Sequence, residues 1–306
     1  MKSSSKISCP FCLNYKSKFW FKHISKQDNK EYPLYKCTSC KSAFIFPEPS
    51  QAYLNEFYSS SKKLSKKRKF INNSYKTKYE FILSQEIRYP NSSVDAKRII
   101  NNLSMMEPGR NFLDVGAGYG FFSYAAKKYG FEVTALELNE ESRKIFMLMN
   151  GFEPLNVVFN EEFANKNAGK FDVILLSQVL EHIPMKSKPI SNIYKLLSPR
   201  GICVISVPLF RSSISVLQGK NDMFIPPPEH LNFFSIKGLR SLLKNNGFDL
   251  ISFETYSRYD SDKLFEKLKF KLLCLISTKI LDFFLYFSDR INKGMYINSY
   301  FRKINS

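Results

Sequence analysis

The stretch Asn111-Phe112-Leu113-Asp114-Val115-Gly116-Ala117-Gly118-Tyr119-Gly120 decides the fold of this 306-residue chain. An apolar run ends in an acid and three alternating glycines, and a segment with helical periodicity begins at Phe121. This order predicts a strand, a tight turn and a helix, the arrangement with which open parallel sheets bind nucleotides. The G-x-G-x-G spacing differs from the G-x-G-x-x-G dinucleotide fingerprint, so the turn admits a ligand that need not carry phosphate.

A second apolar run, residues 133–136, ends in Glu137, seventeen residues after Gly120. A carboxylate at that place can accept hydrogen bonds from both hydroxyls of a ribose. Further blocks follow as FDVILL at 171–176, EHI at 181–183 and LLSPRG at 196–201. With residues 112–122, these blocks resemble the class I S-adenosylmethionine-dependent methyltransferases over roughly residues 95–256, in that family's order and at about its spacings. The ligand expected at the glycine turn is therefore S-adenosylmethionine.

The resemblance implies an α/β fold, with a Rossmann-like seven-stranded methyltransferase sheet that carries helices on both faces. Strand and helix patterns alternate along the chain, as a parallel sheet with crossover helices requires. The last two strands are expected to form an antiparallel hairpin. The candidate strands are Asn111–Gly116, Glu132–Leu138, Pro154–Phe159, Phe171–Ser177, Gly201–Pro208, Leu250–Tyr256 and Met295–Arg302.

The residues expected to hold the cofactor lie where the predicted strands meet their loops. By the resemblance, the glycine turn receives the methionine end, Glu137 binds the ribose, and the end of the fourth strand lies beside the methyl group. Asp114 could also serve as a loop-bracing carboxylate, a role that coexists with binding in this family. The predicted cofactor residues are Asp114, Gly116, Gly118, Gly120, Glu137, Ser177 and Gln178.

Four cysteines form two C-x-x-C pairs, Cys9 with Cys12 and Cys37 with Cys40, separated by 24 residues rich in aromatics. Two thiolate pairs on tight turns can enclose a tetrahedral Zn²⁺, and four thiolates leave no open coordination position. We therefore predict a structural zinc ribbon over residues 1–46, which folds with its metal. A redox-active C-x-x-C is the alternative. The cysteine pattern and a polar opening segment favour a reducing, cytoplasmic location.

The chain has only three histidines, and two of them follow predicted strands. His182 comes just after the fourth strand, and His230 lies in the loop 226-PPPEHLNFFS-235 after the fifth, at the edge where such sheets place active sites. This loop and the four-cysteine unit resemble sugar methyltransferases, including the C-methyltransferases of deoxysugar biosynthesis. The resemblance implies acid/base roles for Glu229, His230 and His182, while an ordinary structural hydrogen bond is the alternative for each histidine. His23 is expected at the surface.

Two departures from these relatives narrow the prediction. The C-methyltransferases carry a tyrosine two residues before the glutamate, where this chain has Pro227, so methylation of a glycan or nucleotide sugar is predicted rather than C-methylation. Quinone-biosynthesis O-methyltransferases place E-x-x-E-H at the fourth strand and can bind a divalent cation. Here residues 178–182 read QVLEH, one carboxylate short, and no catalytic metal is predicted.

The rest of the chain is predicted to consist of a basic linker with helical segments at 47–92 and a methyltransferase domain at 93–306. The formal charge is +19, and residues 1–110 hold 21 Lys and Arg against 8 Asp and Glu. Nucleic acid, an anionic membrane or a phosphorylated substrate could meet this charge. The base composition of an AT-rich genome explains the charge equally well. Such a genome favours Lys over Arg, and the chain has 35 Lys against 11 Arg.

An apolar helical insertion is predicted at about 262–290, and its most apolar part is 264–287. Four lysines and Asp282 interrupt this part, which argues against a membrane-spanning helix. Contact with the inner membrane surface, with its own domain or with a second chain stays open. Oligomeric state is not predicted.

The leading interpretation is an S-adenosylmethionine-dependent methyltransferase for a small-molecule or glycan acceptor, such as a sugar, nucleotide sugar or surface polysaccharide. Methyl transfer would be in line, with histidine-assisted proton removal. One alternative is a zinc-ribbon RNA methyltransferase that grips phosphates with its basic amino-terminal third, although no N-P-P-Y-type base clamp follows the fourth strand. Another is a non-catalytic methyltransferase-like scaffold, which the complete glycine turn and Glu137 disfavour.

Overall fold

The computed structural model describes residues 7–60, 93–258 and 278–304. Its strands form two sheets, one near the amino terminus and one in the following α/β part. They are β1 (Ser17–Ile24), β2 (Glu31–Cys37), β3 (Ala43–Ile45), β4 (Asn111–Val115), β5 (Glu132–Leu136), β6 (Phe171–Ser177), β7 (Leu197–Pro208), β8 (Asn232–Phe233), β9 (Phe248–Tyr256) and β10 (Tyr296–Lys303).

The helices of the described residues alternate with the strands of the larger sheet. Several begin at side chains that cap their first turn: Asn139 accepts from Ser142 N, Asn160 from Phe163 N and Ser235 from Gly238 N. They are α1 (Gln51–Ser60), α2 (Ser93–Ser104), α3 (Phe121–Lys128), α4 (Glu140–Asn150), α5 (Glu161–Lys166), α6 (Pro189–Leu196), α7 (Ser213–Gln218), α8 (Ile236–Lys244) and α9 (Thr278–Arg290).

The larger sheet has six strands in the order β5-β4-β6-β7-β10-β9. Strands β5, β4, β6 and β7 are parallel, and β10 runs antiparallel to both of its neighbours. The predicted Rossmann-like sheet and its final antiparallel pair are therefore confirmed. The order reverses between β4 and its neighbours, which places the glycine turn at a switch point of the sheet.

The prediction of a strand at Pro154–Phe159, the third of the seven candidates, is wrong. Only Leu155 bridges to Leu136, with backbone hydrogen bonds from Leu155 N to Ala135 O and from Glu137 N to Leu155 O. Pro154 has no N–H to donate, and the residues after Leu155 are mostly exposed at the sheet edge. The segment therefore adds a single bridge, and the sheet has six strands instead of seven.

Alternating side chains of the central strands bury two separate cores, one on each face. Phe112 of β4, Val173 of β6 and Val204 of β7 pack with α2, α3 and α4. Leu113 and Ile174, their neighbours along the strands, pack with α6 and α8. Helices thus cover both faces, as predicted, and the strands read as continuous apolar runs for that reason.

The smaller sheet joins the amino-terminal segment to the α/β part. Its order is β1-β2-β3-β8, so the last strand comes from the loop that follows β7. Ala43 pairs with Phe233 and Phe44 with Asn232. The contact continues beyond the strands, because Phe11 packs on Phe234 with ring centroids 4.9 Å apart.

Two predicted segments fall wholly or partly outside the described residues. Residues 61–92 of the predicted basic linker and residues 262–277 of the predicted apolar insertion belong to this group. The remainder of the insertion lies in α9, which packs Leu281 and Leu285 against Tyr256, Met295 and neighbouring apolar side chains. Within the described ranges, no helix is both long and apolar enough to cross a membrane.

Candidate active site

The glycine turn connects β4 to α3, and each of its three glycines has a left-handed backbone. The φ angles are 68° at Gly116, 55° at Gly118 and 84° at Gly120. A side chain at Gly120 would collide with Phe146 and Asn150, whereas one at Gly118 would meet nothing within 4 Å. The turn therefore leaves open space beside Gly118, where a ligand can approach the backbone.

Glu137, just after β5, reaches back to this turn. Its carboxylate accepts from Gly118 N at 2.8 Å and from Asn139 N at 2.7 Å. A carboxylate offers about four acceptor positions, so two stay available for the hydroxyls of a ribose. Glu137, which is predicted to bind the ribose, is thus in direct contact with the predicted glycine turn. The open backbone at Gly118 and the available carboxylate positions of Glu137 fit S-adenosylmethionine.

Asp114 lies beneath the turn with 1% of its surface exposed. Ser123 donates a 2.7 Å hydrogen bond to its carboxylate, which ties β4 to the first turn of α3. Burial raises the pKa of Asp114 to about 7, against the lowering effect of Ser123, and the charge of Glu137 raises it further. In the described structure Asp114 braces the loop, in line with the alternative role predicted for it.

Ser177 and Gln178 end β6 at the same edge of the sheet. Ser177 is buried, and Gln178 has a φ of 56° with its backbone N–H donating to Ser206 O at 2.7 Å. After Gln178 the chain passes across the glycine turn. A Cβ added to Gly116 would lie 2.7 Å from Val179 Cγ2. A glycine at 116 therefore allows the loop after β6 to lie against the cofactor turn.

The loop after β6 and the loop after β7 bring Glu181, His182 and His230 together. One ligand-type atom from each lies within 4.8 Å of the others. His182 Nε2 is 3.9 Å from Glu181 Oε1, and the two imidazole rings contact edge to face with centroids 4.7 Å apart. This group is called the Glu-His-His cluster below.

Backbone and side-chain hydrogen bonds hold the two loops in this register. Leu231 N donates to Glu181 O at 2.8 Å, and the buried Asn232 side chain donates to Leu180 O at 3.3 Å and to Ile183 O at 2.8 Å. Because Asn232 also begins β8, the position of the cluster depends on the smaller sheet.

Burial controls the protonation of all three cluster residues. It raises the pKa of Glu181 to about 8, although the residue's own backbone N–H partly opposes this. It lowers the pKa of His182, and it lowers the pKa of His230, to which the nearby His182 also contributes. Both imidazoles are therefore neutral at pH 7.

Of the three predicted acid/base residues, the two histidines contact each other through their side chains, whereas Glu229 contacts His182 through its backbone. His182 and His230 meet, as expected for a shared site, while Glu229 places its backbone carbonyl 2.6 Å from His182 Nδ1. Glu181 was not predicted as a site residue, and it is the carboxylate at the centre of the cluster. Its place beside His182 in the sequence was the available signal. The acid/base roles themselves stay predictions.

The four predicted cysteine ligands also come together. Their sulfurs all lie within 4.8 Å of one another, with Cys9 Sγ 3.6 Å from Cys40 Sγ and Cys12 Sγ 3.7 Å from Cys37 Sγ. Zinc–sulfur bonds of about 2.3 Å in a tetrahedron separate sulfurs by about 3.8 Å, so the spacing fits a Zn²⁺ ion. His23 lies on β1 and is not part of this group.

Comparison with known proteins identifies the family. A methyltransferase-domain model matches residues 89–253, more than half of the chain. The chain belongs to the methyltransferase-domain family. The domain is that of a class I S-adenosylmethionine-dependent methyltransferase, as its sheet order and glycine turn already indicate.

Curated relatives match over a shorter region. The chain is 35% identical over 104 residues to a ubiquinone biosynthesis O-methyltransferase of Psychrobacter arcticus, covering 32% of this chain and 40% of that protein. It is 33% identical over 106 residues to the enzyme of the same name from Bordetella avium, covering 33% and 44%. The match thus spans less than half the length of these relatives.

A solved structure supports the fold. A SAM-dependent methyltransferase from Archaeoglobus fulgidus superposes with a TM-score of 0.50 at 18% identity, covering 74% of this chain and all of that one. At this identity the likeness concerns the fold alone.

Proposed function

We propose that this protein transfers a methyl group from S-adenosylmethionine to a small-molecule or glycan acceptor. The observation that carries the proposal is the contact between the glycine turn and the loop that holds the Glu-His-His cluster. Because Val179 packs against Gly116 and precedes Glu181 by two residues, a cofactor at the turn and a group at the cluster would be neighbours.

The reaction needs little covalent chemistry from the protein. The acceptor oxygen attacks the methyl carbon in line, the carbon–sulfur bond breaks, and S-adenosylhomocysteine leaves with the electron pair. The acceptor's hydroxyl proton must be removed, and the Glu-His-His cluster is the titratable group placed for that step. A hydroxyl acceptor agrees with the names of the curated relatives, which are O-methyltransferases.

One observation supports a small-molecule acceptor: the relatives are named for the biosynthesis of a small molecule. The choice of a sugar depends only on the resemblance predicted from the sequence of the loop at 229–235. A sugar or nucleotide sugar is the finer proposal, and an RNA acceptor is the competing one. In the RNA case the basic amino-terminal third would grip phosphates.

The test follows the methyl group. Purified protein should bind S-adenosylmethionine in calorimetry and should transfer methyl label into the small-molecule or polysaccharide fraction of an extract from cells lacking the gene. His230→Ala should keep cofactor affinity and lose transfer. Label in the RNA fraction, with binding that weakens steeply as salt rises, would replace the proposed acceptor by RNA. Absence of cofactor binding would leave a non-catalytic scaffold.

We also propose that Cys9, Cys12, Cys37 and Cys40 hold a structural Zn²⁺. The sulfur spacing supports it, and the thiolates must stay reduced to bind metal, which agrees with a reducing compartment. Elemental analysis should find one zinc per chain that Cys12→Ser removes. Cys203→Ala is the matched control, because Cys203 is a buried cysteine of β7 outside the group. Retention of zinc by Cys12→Ser would contradict the proposal.

A further inference from the structure

Four cations gather beside the face of the smaller sheet that packs on the loop after β7. Lys18 of β1 lies directly opposite Lys36 of β2, and the charges of Arg211 and Lys220, both in that loop, act on Lys36 as well. None of the four forms an ion pair with another described residue. Like charges placed directly across two strands are destabilising, and a bound anion relieves their repulsion. This group is called the cation surface below.

The acids of the neighbouring segments are engaged elsewhere. Glu31 pairs with a lysine of β1 at 2.7 Å, and the Asp28 carboxylate accepts from two tyrosine hydroxyls. Asp222, in the same loop as two of the cations, is 5% exposed and accepts from a backbone N–H of that loop at 3.0 Å. Three of the four cations are exposed, so the positive field of the cation surface reaches solvent, where an anionic ligand can meet it.

Aromatic rings fix the half-buried Lys36 within this surface. A β-bulge between Phe19 and Phe21 adds Trp20 to β1, so that the rings of Trp20 and Phe21 face the same side with centroids 4.6 Å apart. The Lys36 ammonium lies 3.2 Å from the centroid of the Trp20 ring, and the Lys220 ammonium lies 5.7 Å from that of Phe21. Burial lowers the pKa of Lys36 to about 8, and the two nearby cations of the loop lower it further. Lys36 is therefore still charged at pH 7, and an anion that binds it has little side-chain freedom to remove.

We propose that Lys18, Lys36, Arg211 and Lys220 bind the diphosphate group of the methyl acceptor. Phosphate oxygens accept charge-assisted hydrogen bonds from lysine and arginine side chains. The four cations come from β1, β2 and the loop after β7, and a diphosphate can contact more of them at once than a single phosphate, because it has oxygens on two linked phosphorus atoms. The inference rests on the function proposed above and names the chemistry of its acceptor, a diphosphate ester of a nucleoside or of a lipid.

One apolar cluster joins the cation surface to the loop that carries His230. The Phe210 ring packs on Trp20 with centroids 5.7 Å apart, and both belong to the cluster that includes Leu231. Leu231 in turn donates its backbone N–H to Glu181 O at 2.8 Å. An acceptor held by its diphosphate at this surface would therefore keep a fixed relation to the Glu-His-His cluster. The amino-terminal sheet would then take part in acceptor binding as well as in supporting the loop.

The experiment uses the emission of Trp20, the only tryptophan of the chain, as a reporter of this surface. The full chain is titrated with inorganic pyrophosphate at about 0.1 M salt, without acceptor or cofactor. The emission should change saturably, with one pyrophosphate per chain in parallel calorimetry. Inorganic phosphate should bind at least ~tenfold more weakly, because it contacts fewer of the cations.

Charge-removing variants test the residues. Lys36→Gln and Arg211→Gln should each weaken pyrophosphate binding at least ~tenfold, since each removes a charge-assisted hydrogen bond. Lys128→Gln is the matched control, because Lys128 also lies over an aromatic ring, 4.6 Å from the centroid of Tyr124, but on α3. It should bind pyrophosphate as the original protein does. Arg211→Gln should melt no lower than the original protein, because Arg211 is exposed and its loss reduces repulsion among the cations.

Two diphosphate esters distinguish the sources of the group. Tighter binding of UDP than of farnesyl diphosphate would assign the surface to a nucleoside-linked acceptor, and the reverse order would assign it to a lipid-linked one. Saturating pyrophosphate should also inhibit methyl transfer into the small-molecule or polysaccharide fraction of the extract.

Three results would overturn the proposal. They are no pyrophosphate binding up to ~10 mM, unchanged affinity in both Lys36→Gln and Arg211→Gln, and binding that leaves methyl transfer uninhibited. Single-stranded RNA that binds where pyrophosphate does not would assign the surface to nucleic acid instead. Calorimetry with S-adenosylmethionine separates these failures from a failure of the methyltransferase function, since the glycine turn lies outside the cation surface and should bind cofactor equally in all variants.

Discussion

Replacing Asn232 by alanine should loosen the Glu-His-His cluster without touching the cofactor turn. The Asn232 side chain is 2% exposed and donates to Leu180 O and Ile183 O, on either side of Glu181 and His182. Its backbone lies in β8, only two residues after His230. The amide is therefore a side-chain link between the two loops that form the cluster, beside the bond between His182 Nδ1 and Glu229 O.

The cost can be worked from these two hydrogen bonds. The bond to Ile183 O is short at 2.8 Å, and its loss leaves a half-buried carbonyl without this donor, at a cost of about 1–3 kcal/mol. The bond to Leu180 O is long at 3.3 Å, and Ile183 N also donates to that oxygen, so it adds about 0.5 kcal/mol. We expect a total loss of roughly 1.5–3.5 kcal/mol in the free energy of unfolding. For a chain of this length, that corresponds to about 3–7 °C in melting temperature, at about 2 °C per kcal/mol.

The assay is nitrogen-15 spectroscopy of the histidine rings, which needs no acceptor. Three histidines give three readable spin systems, and in the original protein His182 and His230 should both appear as Nδ1–H tautomers. In Asn232→Ala both signals should shift or broaden, while that of His23 stays in place. Affinity for S-adenosylmethionine should change less than about twofold, because Asn232 does not contact the glycine turn.

Asn246→Ala is the matched control. Its side chain also donates to a backbone carbonyl, Leu242 O at 2.8 Å, but at the end of α8. It should lose about 1 kcal/mol of stability and leave the cluster signals unchanged. If Asn232→Ala is destabilised by the expected amount and the signals of His182 and His230 do not move, the loops are held by other contacts and the reasoning is wrong.

Three further predictions concern the turn, its buried acid and the cysteine group. Gly118→Ala and Gly130→Ala should each cost about 1 kcal/mol, since both glycines have left-handed backbones in open space, but only Gly118→Ala should weaken cofactor binding, at least ~tenfold in calorimetry. Asp114 has a pKa of about 7 in the folded protein against 3.8 for the ordinary side chain, the value expected when unfolded. The free energy of unfolding therefore falls as pH rises from about 4 to 7, by up to about 4 kcal/mol, and the loss persists above pH 7. Asp114→Asn should remove this part of the slope in urea unfolding at pH 5 and pH 8, and an unchanged slope would contradict the assignment. Stripping zinc with a chelator should shift the nitrogen-15 signal of His230 and lower the melting temperature, whereas an unchanged spectrum would show that the cysteine unit does not position the loop.

The parts of the site that sequence could predict are those encoded in short, contiguous patterns. The glycine turn is one example, because backbone conformation at Gly116–Gly120 and the buried strand before it depend on neighbouring residues. The end of β5 just before Glu137 is another, since the apolar run stops where the strand stops. Both features lie where the pattern placed them, and their contact through Gly118 follows from the parallel pairing of β4 with β5.

The strand prediction at Pro154–Phe159 was wrong because this segment lies at the edge of the sheet. Its composition, with Val157 and Val158, favours a strand, but a strand also needs a neighbour with free hydrogen-bonding groups along its length. β5 ends at Leu136, and the chain after Glu137 turns into α4, so only Leu155 finds backbone partners. Propensity alone does not reveal how far a neighbouring strand extends.

The central carboxylate and the role of the cysteine unit depend on pairings between distant parts of the chain. β8 is two residues long, too short for any periodicity, and it forms only because Ala43 and Phe44 lie about 190 residues earlier in a sheet that needs an edge partner. Ser235 then donates to Cys40 O, so a thiolate-bearing turn is fixed to the start of α8. The loop that carries His230 is thus anchored at its far end by the cysteine unit, which makes that unit part of the scaffold of the active site. A metal at the cysteines would accordingly act on catalysis through the position of His230, although it has no open coordination position of its own.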